Sequence, residues 1–77
     1  MNWRERIVAD SAVCHGRPCI AGTRVMVSVV LDNLAAGETV EEVSRGYHLT
    51  NEDVLAAIQY AAELARDRIV PLVPGAA

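Results

Sequence analysis

Thr39-Val40-Glu41-Glu42-Val43-Ser44-Arg45-Gly46-Tyr47-His48-Leu49-Thr50-Asn51-Glu52-Asp53-Val54 holds two helix starts and one stop. Thr39 is an N-cap residue, and Glu42 three positions later completes a capping box. Val40 and Val43 supply the apolar face of a short helix, which Gly46 stops. Thr50 caps a second start, and Glu52 and Asp53 place acids where the helix dipole favours them. Two such helices joined by Gly46-Tyr47-His48-Leu49 have the proportions of a helix-turn-helix.

Upstream, Val27, Val30, Leu31, Leu34 and Ala35 recur at helical spacing, with Ser28, Asp32 and Asn33 opposite them. Gly37 ends that helix. Downstream, Val54, Leu55, Ile58, Ala61, Ala62, Ala65 and Ile69 form the expected inward stripe of the third helix. Leu64 falls on a flank with Ala57 and Tyr60, and the outward positions near the helix start include Ala56 and Ala57. Pro71 and Pro74 end the order. The spacing predicts helices over Val27–Ala36, Val40–Arg45 and Asn51–Arg68.

The segment before Val27 reads differently. Ile7-Val8-Ala9, the turn pair Asp10-Ser11 and Ala12-Val13-Cys14 predict a small strand pair. His15 to Arg24 carries Gly16, Pro18 and Gly22 and reads as an ordered loop. The expected fold is mainly α: a three-helix helix-turn-helix core preceded by short N-terminal β-strands. It forms one domain, with an arm over 1–26, a core over 27–69 and a tail over 70–77.

A chain of 77 residues that is 52% hydrophobic and 22% charged is a folded one. At this length folding buries only roughly 60% of the unfolded surface. A homodimer is therefore expected, in part through exposed strand edges. No apolar run approaches the roughly 20 residues of a membrane span, and the first residues lead into no signal-type stretch. Those two features set the expectation of a cytoplasmic protein without membrane contact.

The net charge of −3 is unevenly spread. Residues 1–26 carry Arg4, Arg6, Arg17 and Arg24 against Glu5 and Asp10, whereas the remainder has three arginines against eight acids. Every basic residue is Arg, the side chain best suited to bidentate phosphate and guanine contacts. Arg17 sits in the Gly16-Arg17-Pro18 loop and Arg24 at the entrance to the helical core. Asn51 and Gln59 on the third helix have the amides that read adenine edges, but Glu52 and Asp53 oppose phosphates. The expected DNA contacts are Arg4, Arg6, Arg17, Arg24, Asn51 and Gln59, with most affinity in the basic arm of a symmetric dimer.

Catalytic and metal readings have less to stand on. No Ser-His-Asp set, phosphate loop or metal-binding His pair is present, so no enzyme and no cofactor are expected. Cys14, His15 and Cys19 form a Cys-His-x-x-x-Cys cluster, with His48 as a fourth potential ligand. Adjacent Cys14 and His15 are poorly placed to face one ion, so buried thiols rather than a metal or a disulfide are expected.

Three stretches together carry a family resemblance: Gly16-x-Pro18-x-Ile20-x-Gly22-Thr23-Arg24, Leu34-Ala35-Ala36-Gly37-x-Thr39-x-Glu41-Glu42 and Leu49-Thr50-x-x-Asp53-Val54-x-x-Ala57. They resemble a large family of short prokaryotic chains first catalogued as domain-of-unknown-function family 433. Its members are regarded as antitoxin-like and related to VapB antitoxins, with a homeodomain-like core. Ser11 and Met26 depart from it, each standing where the family commonly has proline. The resemblance implies a PIN-like ribonuclease toxin and operator DNA as partners. The competing expectation is a protein-interaction module that uses the third helix and the apolar tail, its acidic surface complementing a basic partner.

Overall fold

The computed structural model describes residues 2–67. Two short strands, β1 (Ile7–Val8) and β2 (Cys19–Ile20), precede three helices, α1 (Val27–Ala35), α2 (Val40–Gly46) and α3 (Asn51–Asp67). A 3-10 turn at Trp3–Glu5 leads into β1, and a second at Cys14–Gly16 lies between the strands. α1 and α2 start where expected and end within one residue of their expected positions, and α3 starts where expected and runs to the last described residue. The 70–77 tail, Arg68 and Ile69 lie outside the described residues.

The strand pair differs from expectation in its second member. Ile7 pairs with Ile20 and Val8 with Cys19 in an antiparallel register. Ala12-Val13-Cys14 is not a strand: Val13 makes one bridge to Asp10, and Cys14 enters the 3-10 turn. The reason lies in the backbone, because Cys14, His15 and Gly16 have φ of 51°, 55° and 77°. Three successive left-handed residues reverse the chain and deliver Cys19 and Ile20 to β1 instead.

The Gly22-Thr23-Arg24 segment is a turn with its own hydrogen bonds. Gly22 has φ +78°, the Thr23 hydroxyl donates to the Ile20 carbonyl at 2.8 Å, and the Val25 N–H donates to that hydroxyl at 3.0 Å. The Val27 N–H then donates to the Pro18 carbonyl at 3.0 Å, locking the start of α1 against the arm.

At its other end, α1 closes in a Schellman arrangement. Gly37 (φ +103°) donates to the Leu34 carbonyl, and Glu38 to that of Asn33. Both Thr caps form. The Glu42 N–H donates to the Thr39 hydroxyl at 3.1 Å, and Glu42 returns an acceptor to the Thr39 N–H at 2.9 Å. Thr50 and Asp53 repeat the exchange at 3.1 Å each way. The turn between α2 and α3 passes through His48 at φ +56°, and the Leu49 N–H closes it on the Ser44 carbonyl at 2.8 Å.

Ile20, Val27, Val30, Val43, Val54 and Ala57 form the buried centre, with Leu31, Leu34, Leu49 and Tyr60 packed around it. Here the expected face of α3 is corrected. Ala56 and Ala57, expected to point outward, are fully buried, whereas Leu55 and Ile58, expected inward, are 42% and 38% exposed. Ala62 and Ala65 are exposed as well. The inward positions are Val54, Ala57 and Ala61 together with the Tyr60–Leu64 flank. The expected stripe had merged two apolar stripes about a quarter-turn or more apart.

Candidate nucleic-acid interface

The arm lies along α3, held there by Trp3 and by Arg6. The Trp3 and Tyr60 rings meet edge to face, with centroids 5.3 Å apart at 63°. Within the arm, the Arg4 guanidinium carbon lies over the Trp3 ring, 4.5 Å from its centroid. Arg6 reaches the first turn of α3, with Nη1 3.0 Å from Asp53 Oδ1 and Nη2 2.8 Å from Glu52 Oε2. Ala56, in the same stretch of α3, is fully buried.

Asp53 is thereby the most constrained acid of the site. Burial on its own would raise its pKa. The Thr50 N–H, the Arg6 guanidinium and the Thr50 hydroxyl outweigh that and hold it below the usual aspartate range. Glu42, at the start of α2, is also held below its ordinary value, chiefly by the Thr39 N–H and then by the Thr39 hydroxyl. The two acids that oppose phosphates are therefore partly compensated by Arg6, which in turn is committed to them.

The other expected DNA contacts are spread over the surface. Arg4 and Gln59 share a groove of about 450 Å³ with Asn2, Trp3, Ala62, Glu63 and Arg66. Asn51 is exposed on the first turn of α3. Arg17 borders an apolar hollow of about 430 Å³ against Pro18, Val27, Leu31, Tyr60 and Leu64. Arg24 flanks Val8, Asp10 and Val13, and among the described residues no carboxylate lies within ion-pair distance of it. The structure thus brings together Arg4 with Gln59, and Arg6 with the α3 acids, but does not gather Arg4, Arg6, Arg17 and Arg24 into one patch.

Cys19 is fully buried and Cys14 half-buried, both as free thiols. The Cys14 thiol lies 3.2 Å from the Arg24 carbonyl, and that of Cys19 3.8 Å from the Thr23 carbonyl. Burial, and then the Cys14 thiol beside it, push the Cys19 thiol up. Among the described residues no three His, Cys, Asp or Glu side chains are placed to hold a metal ion. No described helix is long and apolar enough to cross a membrane.

The model of the family described as "Protein of unknown function (DUF433)" matches residues 7–61. The chain belongs to the DUF433 family. Among curated proteins none matches it. A crystal structure of Rv2018 from Mycobacterium tuberculosis is similar, at 29% identity and a TM-score of 0.66. The match covers 74% of this chain but 27% of that one, so this chain spans about a quarter of Rv2018's length. The DUF433 segment includes Arg17, Arg24, Asn51 and Gln59, while Trp3 and Arg4 precede it and Arg6 adjoins it. Sequence reasoning missed the clasp of Trp3 and Arg6 on α3. Its members lie 46 to 57 residues apart, beyond the reach of any periodicity.

Proposed function

We propose that this DUF433 protein is an antitoxin-like DNA-binding regulator of a type II toxin–antitoxin pair. It would neutralise a PIN-like ribonuclease toxin and repress the operon that encodes both. The observation that carries this reading is the α2–turn–α3 unit. Two capped helices joined by a tight turn pack on α1, the arrangement of helix-turn-helix DNA readers. Arg6 supports it by compensating Glu52 and Asp53 at the start of α3. Phosphate contact falls to Arg4, Arg17 and Arg24, and base-edge contact to Asn51 and Gln59.

A salt titration of binding to DNA from the protein's own promoter tests it. Replacing Arg4, Arg17 and Arg24 by Ala, with Arg6 left to hold the clasp, is expected to weaken binding on all sequences. The dependence on salt should flatten as well, since fewer counterions are released. Equal affinity and equal salt slope in the triple variant would refute the arginine assignment.

A second reading, a protein-interaction module without DNA contact, is favoured by one observation: Leu55 and Ile58 stand exposed on α3. Absence of DNA binding by the unaltered protein at low salt would leave that reading standing.

A further inference from the structure

We propose that the outer face of α3 is an interface between two copies of this chain, paired antiparallel about a two-fold axis at mid-helix. The proposal goes beyond the function above, and it places the contact of the homodimer expected from the chain's size on α3 rather than on strand edges. Each strand is two residues long and offers little to pair with.

Leu55, Ile58, Ala62 and Ala65 fall at i, i+3, i+7 and i+10 and are all exposed, which makes one continuous apolar row. The row is ordered by size, bulky in its N-terminal half and small in its C-terminal half. Antiparallel pairing sets Leu55 against Ala65 of the second copy and Ile58 against Ala62 of the second copy. Every bulky side chain then meets a small one, and the helices approach closely. Parallel pairing would stack bulk on bulk at one end and leave a gap at the other.

The charges run in the same sense. Glu52 and Asp53 lie in the first turn of α3 and Arg66 in the last. Each has a partner in its own copy, Glu52 the Arg6 guanidinium at 2.8 Å and Arg66 the Glu63 carboxylate at 3.0 Å, but at 62% and 67% exposure both stay open to a second contact. Antiparallel pairing brings Glu52 of one copy toward Arg66 of the other, twice by symmetry. The groove formed by Trp3, Arg4, Gln59, Ala62, Glu63 and Arg66 borders this row and is open to side chains from a second helix. Asn51, four residues before Leu55, continues this row and Gln59 lies beside it, so the pair covers the α3 positions assigned to base edges, and self-pairing competes with base readout.

Sedimentation equilibrium of the full chain tests this, without DNA, over about 1–200 μM, a range that spans weak self-association. The expected result is a monomer of 8.3 kDa in equilibrium with a species of twice that mass. Ile58→Glu should raise the dimer dissociation constant at least about tenfold, with helicity by circular dichroism unchanged. Glu52→Arg should weaken the dimer, and adding Arg66→Glu should restore it. Glu52→Arg also loses the Arg6 contact, which Arg66→Glu cannot rebuild, so restoration reads the contact between copies and remains informative if Ile58→Glu misfolds.

Ala62→Leu separates size-matched pairing from general stickiness, because it adds apolar surface but blocks close approach. It should weaken the dimer, and a tighter dimer would overturn the proposal. So would a chain that stays monomeric throughout, or a dimer indifferent to Ile58→Glu. A monomer that instead captures a different helical protein through Leu55 and Ile58 would likewise exclude self-pairing. Because no DNA is present, failure here is distinguishable from failure of the DNA-binding function.

Discussion

The two faces of α3 are built from the same kinds of residue and meet opposite fates. Val54 and Ala57 are fully buried, while Leu55 and Ile58, one position further on, are roughly two-fifths exposed. Both sets recur at helical spacing, so period alone cannot rank them. What decides is the partner. Val54 and Ala57 meet Val27, Val30 and Val43, and the arm covers the side bearing Tyr60. Only the remaining arc is left bare. An amphipathic pattern therefore shows how many apolar stripes a helix has, and the tertiary neighbours determine which of them becomes core.

The largest expected effects break this comparison directly. Val54→Ala should cost on the order of 2 kcal/mol in urea unfolding, since it opens a cavity at a site with no exposure. Leu55→Ala removes more side chain, yet should change monomer stability by less than about 0.5 kcal/mol at low protein concentration. Equal losses at the two positions would mean that Leu55 is packed in the monomer and that the two faces are not distinct.

Next comes the clasp that closes the third side of the helix. Asp53→Asn weakens the ion pair with Arg6 and the reciprocal cap with Thr50, for an expected loss of about 1–2 kcal/mol at neutral pH. The pH dependence has a definite sign. A carboxyl held low in the folded state contributes stability that is fully present above its unfolded pKa, about 3.9. That stability is lost as pH falls through the lower folded value. Acid unfolding of the native protein should accordingly steepen below about pH 4, and Asp53→Asn should flatten that limb. A variant with the same acid limb as the native protein would remove Asp53 from the account.

Local signals in the sequence were enough for the helical skeleton. Thr39 with Glu42, Thr50, Gly37 and the α1 spacing place α1, α2 and the start of α3 to within a residue, because caps and stops act over three or four positions. Long-range features were not legible. The pairing of β1 with Cys19–Ile20 depends on left-handed backbone at Cys14 and His15, residue types that do not advertise it. Arg6 looked like a free cation because its carboxylates lie 46 and 47 residues away. The candidate contacts were legible as residue types, but not as neighbours.

The caps offer a finer comparison between the two helix starts. Thr39 and Thr50 make the same reciprocal exchange, but only Asp53 also holds the arm. Thr39→Ala should cost on the order of 1 kcal/mol. Thr50→Ala should cost at least as much, because it loosens the carboxylate that Arg6 binds. A smaller loss at Thr50 than at Thr39 would separate the cap from the clasp. Thermal unfolding of the two variants side by side is sufficient.

The smallest effect tests the junction where arm meets core. Met26 stands where the resembling chains commonly carry proline, and it is the N-cap of α1 with φ −72° and ψ 143°. That φ is close to the value a pyrrolidine ring imposes. Met26 makes no side-chain cap bond, and among the described residues its N–H is not a donor in the loop and cap contacts, where Ile20 bonds Val25 and Val27 bonds Pro18. Proline at this position therefore removes no hydrogen bond and fits the backbone already present. Its benefit lies in the unfolded chain, which loses freedom that folding would otherwise have to remove. Met26→Pro should raise stability by about 0.4–1 kcal/mol, read as a higher urea midpoint with an unchanged slope. The half-buried methionine side chain is the opposing contribution, and a net loss of stability would show that its packing against the arm outweighs the backbone gain. The junction would then be held by side-chain contact, whereas the helix starts at Thr39 and Thr50 are held by their caps.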